Sequence, residues 1–251
     1  MSGSLSPDEF RSAYRRLESA FQLQAESDSA VYLPNPRPIG PADFVFVAME
    51  PSLGGWAGGS PDVGRGMVEE GYLNFIYDYE GFLLHHAARH YACGPGQTYH
   101  ITDISKGAMP VKDAGIARTE RYDRWFPLLA DELRLVCHEG TTIYAIGSAV
   151  ADFLKSKGRN PAGELLHYSQ VAASFRKRAA LERPDDFVRF ASSIQHADIV
   201  ATARKVMDVS GFPARFQDEV LVRLAKAGLT ESRKHLLFTY KSTLSEYRTG
   251  S

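Results

Sequence analysis

Residues 44–52 read FVFVAMEPS. An apolar run of this length, free of charge until its end, has the pattern of a strand buried on both faces. It stops at Glu50-Pro51, so a carboxylate stands at the lip of a sheet instead of on a solvated helix face. In open α/β sheets that lip is where ligands bind. The following residues 53–66 contain GGWAGGS and GRG, a glycine-rich loop whose backbone can approach a ligand closely.

Working outward, the N-terminal side carries helical spacing over 6–26, with Phe10, Tyr14, Leu17 and Phe21 on one face and Ser-Pro-Asp-Glu at its start. Proline-rich PNPRPIGP then leads into the strand. On the C-terminal side the pattern predicts a helix over about 72–91, a strand over 98–104, a helix over about 118–137, a strand over 142–146 and a helix over 149–157. A fourth strand end falls at 164–167. Strands alternating with helices imply a three-layer α/β/α fold with a mainly parallel central sheet. Residues 1–180 are expected to form that domain, and 181–251 a helical C-terminal extension packed on it, with helices near 185–193, 197–209, 213–227 and 230–247.

Composition narrows the partners. With 29 Lys and Arg against 30 Asp and Glu over 251 residues, the net charge is −1, so no global field draws the chain to nucleic acid and polyanions must be held by local patches. No long uncharged apolar run and no basic start followed by an apolar segment is present, which leads to the expectation of a cytoplasmic protein with no membrane partner. Cys93 and Cys137 are too few for a four-cysteine metal site and are expected as free, buried thiols.

Four strand-end segments stand in order along the chain: AMEPS (48–52), ITDISK (101–106), AIGSAVADFL (145–154) and LHYSQ (166–170). Together they resemble the uracil-DNA glycosylase superfamily over about residues 44–178. The resemblance implies a uracil-DNA glycosylase-like fold and a monofunctional enzyme that flips a pyrimidine nucleotide out of DNA and hydrolyses its N-glycosidic bond. It also implies a monomer that needs neither metal nor organic cofactor. On this alignment Glu50 and His167 are the catalytic candidates: Glu50 to stabilise the sugar cation and orient water, His167 to donate to the base O2. The alternative for Glu50 is a cap for the glycine-rich turn that follows it, and His167 is followed by Tyr168 where the superfamily has Pro.

Asp103 stands at the base-reading position, where the superfamily usually has Asn. Asn matches uracil, whereas a protonated Asp accepts from the cytosine N4 amino group and donates to N3. Asp103 therefore points to a cytosine-type base, the alternative being a pair with Lys106 or a turn cap. Ser52 occupies the place of a tyrosine that can wall off the pyrimidine C5, which leaves room for a 5-substituent such as those of hypermodified phage DNA. Met49 adjoins the same pocket, and Phe75 falls where an aromatic stacks on the flipped base, with Tyr72, Tyr77 and Tyr79 competing for that role. DNA contacts are expected from Ser105 and Lys106, from Ser148 at a helix start, from Ser169 and Gln170 in the loop entering the minor groove, and from Arg176 and Lys177. Arg178, Lys155, Lys157 and Arg159 extend the same basic patch. Ordinary uracil repair, or a silent DNA-binding module on the same fold, are the competing functional readings.

Overall fold

The computed structural model describes residues 5–168 and 170–249. Helix α1 (Pro7–Ser27) starts where the Ser-Pro-Asp-Glu signal puts it. Ser6 Oγ accepts from the Glu9 N–H at 3.3 Å while the Glu9 carboxylate accepts from the Ser6 N–H at 2.8 Å, a reciprocal cap. Strands β1 (Val31–Tyr32) and β2 (Ala42–Ala48) follow, then α2 (Pro61–Glu69) and α3 (Tyr79–Ala87), which runs on into a π turn, Ala88–Ala92. Next come β3 (Tyr99–Asp103), β4 (Gly107–Ala108), the single turn α4 (Val111–Ala114), α5 (Arg118–Val136), β5 (Cys137–Ile146), α6 (Ser148–Ser156) and β6 (Gly163–Leu165). A 3-10 turn, Gln170–Phe175, precedes α7 (Arg178–Glu182), α8 (Pro184–Ser193), α9 (His196–Ser210), α10 (Ala214–Ala227) and α11 (Glu231–Thr249).

The main sheet is four-stranded and parallel, in the order β3-β2-β5-β6. A separate two-stranded antiparallel pair joins β1 to β4. From β2 the chain crosses to β3 on one side, and its later strands β5 and β6 lie on the other. The direction of winding therefore reverses beside β2, and the crevice at the carboxyl ends of β2 and β5 is a topological switch point. Glu50 lies two residues beyond the end of β2.

Alternation along β2 assigns its two faces. Val45 and Val47 enter one core with Phe10 and Tyr14 of α1, Leu129 and Leu133 of α5, and Val150 and Leu154 of α6. Phe46 and Ala48 enter another, with Phe82 and Leu83 of α3, Ile199 and Ala203 of α9, and Leu236, Leu237 and Tyr240 of α11. Both faces of the sheet are thus covered by helices, the arrangement a parallel sheet requires. The helices after residue 181 supply much of one outer layer and share its core with the sheet. Among the described residues, no helix is long and apolar enough to cross a membrane. Neither Cys93 nor Cys137 is in a disulfide; Cys93 is buried, and Cys137 is only half-buried, short of the expected burial.

Two segments depart from the sequence expectation. The helix predicted from residue 72 starts only at Tyr79, because the Asp78 carboxylate accepts from the Gly81 N–H at 2.7 Å and caps it there. Residues 72–78 instead form a loop in which Phe75 has φ of 62°, rare for a bulky side chain. The glycine-rich stretch is also not all loop: Pro61 opens α2, and Ser60 caps it. There Gly64 serves packing, since a Cβ would lie 2.8 Å from Leu53 Cδ2.

Gly81 holds the turn before α3 in a similar way. A Cβ on it would sit 2.4 Å from the Phe75 carbonyl oxygen. Gly81→Ala is therefore expected to lower stability by roughly 1–3 kcal/mol, read as a reduced denaturation midpoint, because the obstruction is backbone and cannot rotate away.

Candidate active site

Glu50 leaves β2 at the switch point and meets one face of the first turns of α5. Its Oε1 is 2.9 Å from Arg118 Nη2 and 3.6 Å from Arg121 Nη2, and its Oε2 accepts from the Tyr122 hydroxyl. The spacing of these residues at 118, 121 and 122 is that of one helix face. Burial raises the Glu50 pKa, partly offset by Arg118 and then Arg121. The carboxylate side chain is 4% exposed whereas that of Arg118 is 38% exposed, so Arg118 is the member of the cluster open to an incoming anion.

Asp103 ends β3, opposite Ala48 in the register, and is 2% exposed. Its Oδ2 accepts from Asn74 Nδ2 at 2.9 Å, and Asn74 Nδ2 also lies 3.2 Å from Asn35 Oδ1. Asn74 Oδ1 accepts from the Phe75 N–H at 3.0 Å, which ties the unusual Phe75 backbone to the carboxylate. Burial pushes the Asp103 pKa up to about 7 against the lowering effects of Lys106, Asn35 and Asn74. At neutral pH the group is thus divided between its donor and acceptor forms. Phe75 is itself buried, at 5% exposure, so neither it nor Asp103 is open to solvent.

His167 leaves the end of β6 beside Gly147, whose φ is 92°, and its ring stacks on Tyr168 with centroids 4.6 Å apart. Burial lowers its pKa, and the charges of Arg176 and Arg118 lower it further. Its imidazole is therefore neutral at pH 7. Arg118 acts electrostatically on both His167 and Glu50, which links the two catalytic candidates. Ser148 is exposed in the first turn of α6, where Gly147 is the N-cap and makes no side-chain cap. The helix N–H groups beside it face the same carboxyl edge.

Several expected DNA contacts are corrected. Lys106 is 1% exposed; its ammonium donates to Glu132 Oε2 at 2.6 Å and Thr102 Oγ1 at 2.8 Å, so it holds the interior together and is not open to a phosphate. Ser105 is fully buried and accepts from the Gly107 N–H at 3.2 Å. Arg176 is likewise buried, donating to the Tyr168 carbonyl and to Ser232 Oγ at 3.2 Å. It ties Tyr168 to α11. Lys177, Lys155 and Arg159 remain exposed, whereas Lys157 pairs with Asp123 at 2.7 Å and Arg178 with Glu182 at 3.0 Å. Ser169 and the side chain of Gln170 lie outside the described residues.

Ser52 bridges to Met109, and its carbonyl accepts from Trp56 Nε1 at 2.6 Å. The glycine-rich segment is thereby folded back, with Trp56 stacked on Tyr72 at 4.7 Å and Tyr72 packed edge-on against Phe212 and Phe216. Met49 packs against the core that contains α5 and α6, and so sits on the face opposite Phe75. Tyr72 and Tyr77 are spent in the same aromatic cluster, Tyr77 lying under Arg223 at 3.8 Å.

The structure thus gathers Glu50, Asp103 and His167 at the carboxyl edge of one sheet, from β2, β3 and β6. It adds Asn35, Asn74, Arg118, Arg121 and Tyr122, which the sequence reading did not single out. Among the described residues no cluster of three or more His, Cys, Asp or Glu side chains is placed to hold a metal ion. Comparison of the chain with protein-family models, curated proteins and solved structures finds no match.

Proposed function

We propose that the protein is a monofunctional DNA glycosylase acting on a cytosine-type base with room for a 5-substituent. The observation that carries the reading is Asp103. A buried carboxyl group with a pKa of about 7, anchored through one oxygen by Asn74, presents a donor and an acceptor together when protonated. Cytosine offers the complementary N3 acceptor and N4 donor. In this reaction the C1′–N1 bond breaks with its electron pair passing to the base. Neutral His167 donates toward O2 as that charge builds, and the Glu50 carboxylate stabilises the sugar cation and orients the water that adds to C1′. The water's hydroxyl stays on C1′ and its proton balances the released base. Exposed Lys177, Lys155 and Arg159, with the α6 N-terminus, are the groups offered to DNA phosphates.

Two outcomes test the assignment of Asp103. Asp103→Asn is expected to exchange preference from cytosine-type bases toward uracil by roughly 1–3 kcal/mol of discrimination, measured as relative kcat/KM on matched oligonucleotides. Release of the cytosine-type base by the parent protein is expected to decline as pH rises through about 7, where Asp103 loses the proton that faces N3. Cytosine-type release that stays level through that range and is unaltered by Asp103→Asn contradicts the assignment.

A further inference from the structure

A cavity of about 890 Å³ lies away from the carboxyl edge, along the side of β3 that pairs with no other strand. Its walls come mainly from four places: residues 36–39, the end of α3 with its π turn, residues 96–101 leading into β3, and one face of α9 running from Asp198 to Ser210. Tyr99, His100 and Ile101 form the strand side. The volume is that of a small-molecule site, and such sites are mostly apolar with a few placed polar groups.

The polar groups have defined states. His85 Nδ1 lies 2.9 Å from the Tyr99 hydroxyl, and His86 Nδ1 lies 3.0 Å from Thr202 Oγ1. Burial lowers these imidazoles to about 3 and about 4, so both are uncharged at ordinary pH. The charged groups at the cavity are Arg37, Arg89 and Lys205 against Asp198. Asp198 is engaged in capping its own helix, accepting from the Gln195 N–H at 2.7 Å, and Arg37 is paired with Glu18 at 2.7 Å. Arg89 gives one Nη to the Gln97 carbonyl, and Lys205 is exposed. Ile39 and Val209 also border the cavity, and they are among the large apolar side chains left in solvent, at 72% and 67% exposure. An apolar lip beside a net positive charge is a combination that neither a purely apolar nor a strongly polar ligand satisfies.

We propose that this cavity binds a small organic anion with an apolar body, the anionic group meeting Lys205 and Arg89 and the body lying between Ile39, Ile101, Val206 and Val209. The site is separate from the Glu50–Asp103–His167 edge and does not depend on base excision. It is tested by fluorescence titration of the full chain with anilinonaphthalene sulfonate and with its uncharged counterpart, N-phenylnaphthylamine. The anion is expected to bind saturably, one per chain, and the uncharged compound roughly tenfold more weakly. Lys205→Glu and Val209→Asp, both at exposed positions, are each expected to weaken the anion by a similar factor with an unchanged denaturation midpoint. Absence of saturable binding, equal binding of the uncharged compound, or indifference to Lys205→Glu would overturn the proposal. So would tight binding of an extended acidic peptide with none of the small anion.

Discussion

Glu50→Gln is expected to reduce base release by about 10²–10³-fold while leaving DNA affinity within a few-fold of the parent protein, since the role proposed for that charge is toward the sugar cation and not the phosphates. The amide keeps the shape of the side chain and can still accept from the Tyr122 hydroxyl. What it loses is the negative charge that Arg118 and Arg121 now face. Two guanidinium groups without a counterion will also lower stability, so the rate is to be compared at a temperature where both proteins are folded, checked by circular dichroism. Loss of release with retained binding separates an enzyme from a silent DNA-binding module. Equal release by the two proteins would remove Glu50 from the chemistry.

Glu132→Ala is expected to cost about 3–5 kcal/mol of unfolding free energy, the usual result of leaving a buried charge without its partner. Glu132 is fully buried on α5 and receives hydrogen bonds from four side chains: Tyr14 at 2.9 Å, His100 at 3.1 Å, Thr102 at 2.8 Å and Lys106 at 2.6 Å. The network ties α1, β3 and α5 into one unit. Burial acts to raise the Glu132 pKa, but Lys106 and His100 outweigh it and leave the group at about 2, below its ordinary 4.5. A depressed carboxylate contributes stability that is present above about 4.5 and is lost as pH falls toward 2. The parent protein should lose stability over that acid interval, and Glu132→Ala should lose less over the same interval. Denaturant midpoints at several pH values measure both effects.

This network also bears on the site. Asn35 Nδ2 donates weakly to Thr102 Oγ1 at 3.4 Å, and its Oδ1 accepts from Asn74, which holds Asp103. A chain of hydrogen bonds therefore runs from the interior of the sheet to the proposed base-reading carboxyl group. Positioning from behind in this way is what a site on rigid elements requires.

The strands were legible because their apolar runs end in unlike residues. FVFVA stops at Met-Glu-Pro and YAI at Gly-Ser, and β2 and β5 end at these junctions. The C-terminal helices were legible from periodicity, but their role was not. Helix spacing says nothing of which sheet face a helix will cover, and α9 and α11 turn out to share a core with Phe46 and Ala48. Residues 72–78 misled the reading because aromatic-rich NFIYDY satisfies a helical period. Asp78 overrides it by capping the next residues, a local signal weaker than the pattern around it.

At the site, the strand-end residues were accessible because chain position alone puts them at the edge. Their partners were not. Arg118, Arg121 and Tyr122 lie about 70 residues from Glu50, and Asn35 and Asn74 come from separate loops. Lys106 shows the opposite failure: a lysine after a strand suggests an exposed phosphate ligand, but its counterion is Glu132, on the helix packed behind the strand. Charge in sequence does not disclose burial in space. Arg176 repeats the lesson, since its neighbours Lys177 and Arg178 are exposed and it is not.

The most direct measurement is mass-spectrometric detection of free base after incubating the protein with duplex oligonucleotides that carry uracil, cytosine, 5-hydroxymethylcytosine or its glucosylated form. The account predicts release of a 5-substituted cytosine, with an abasic site left in an otherwise intact strand and no release by Glu50→Gln. Release of uracil alone would contradict the cytosine assignment, and release from none of these substrates would contradict the glycosylase reading itself.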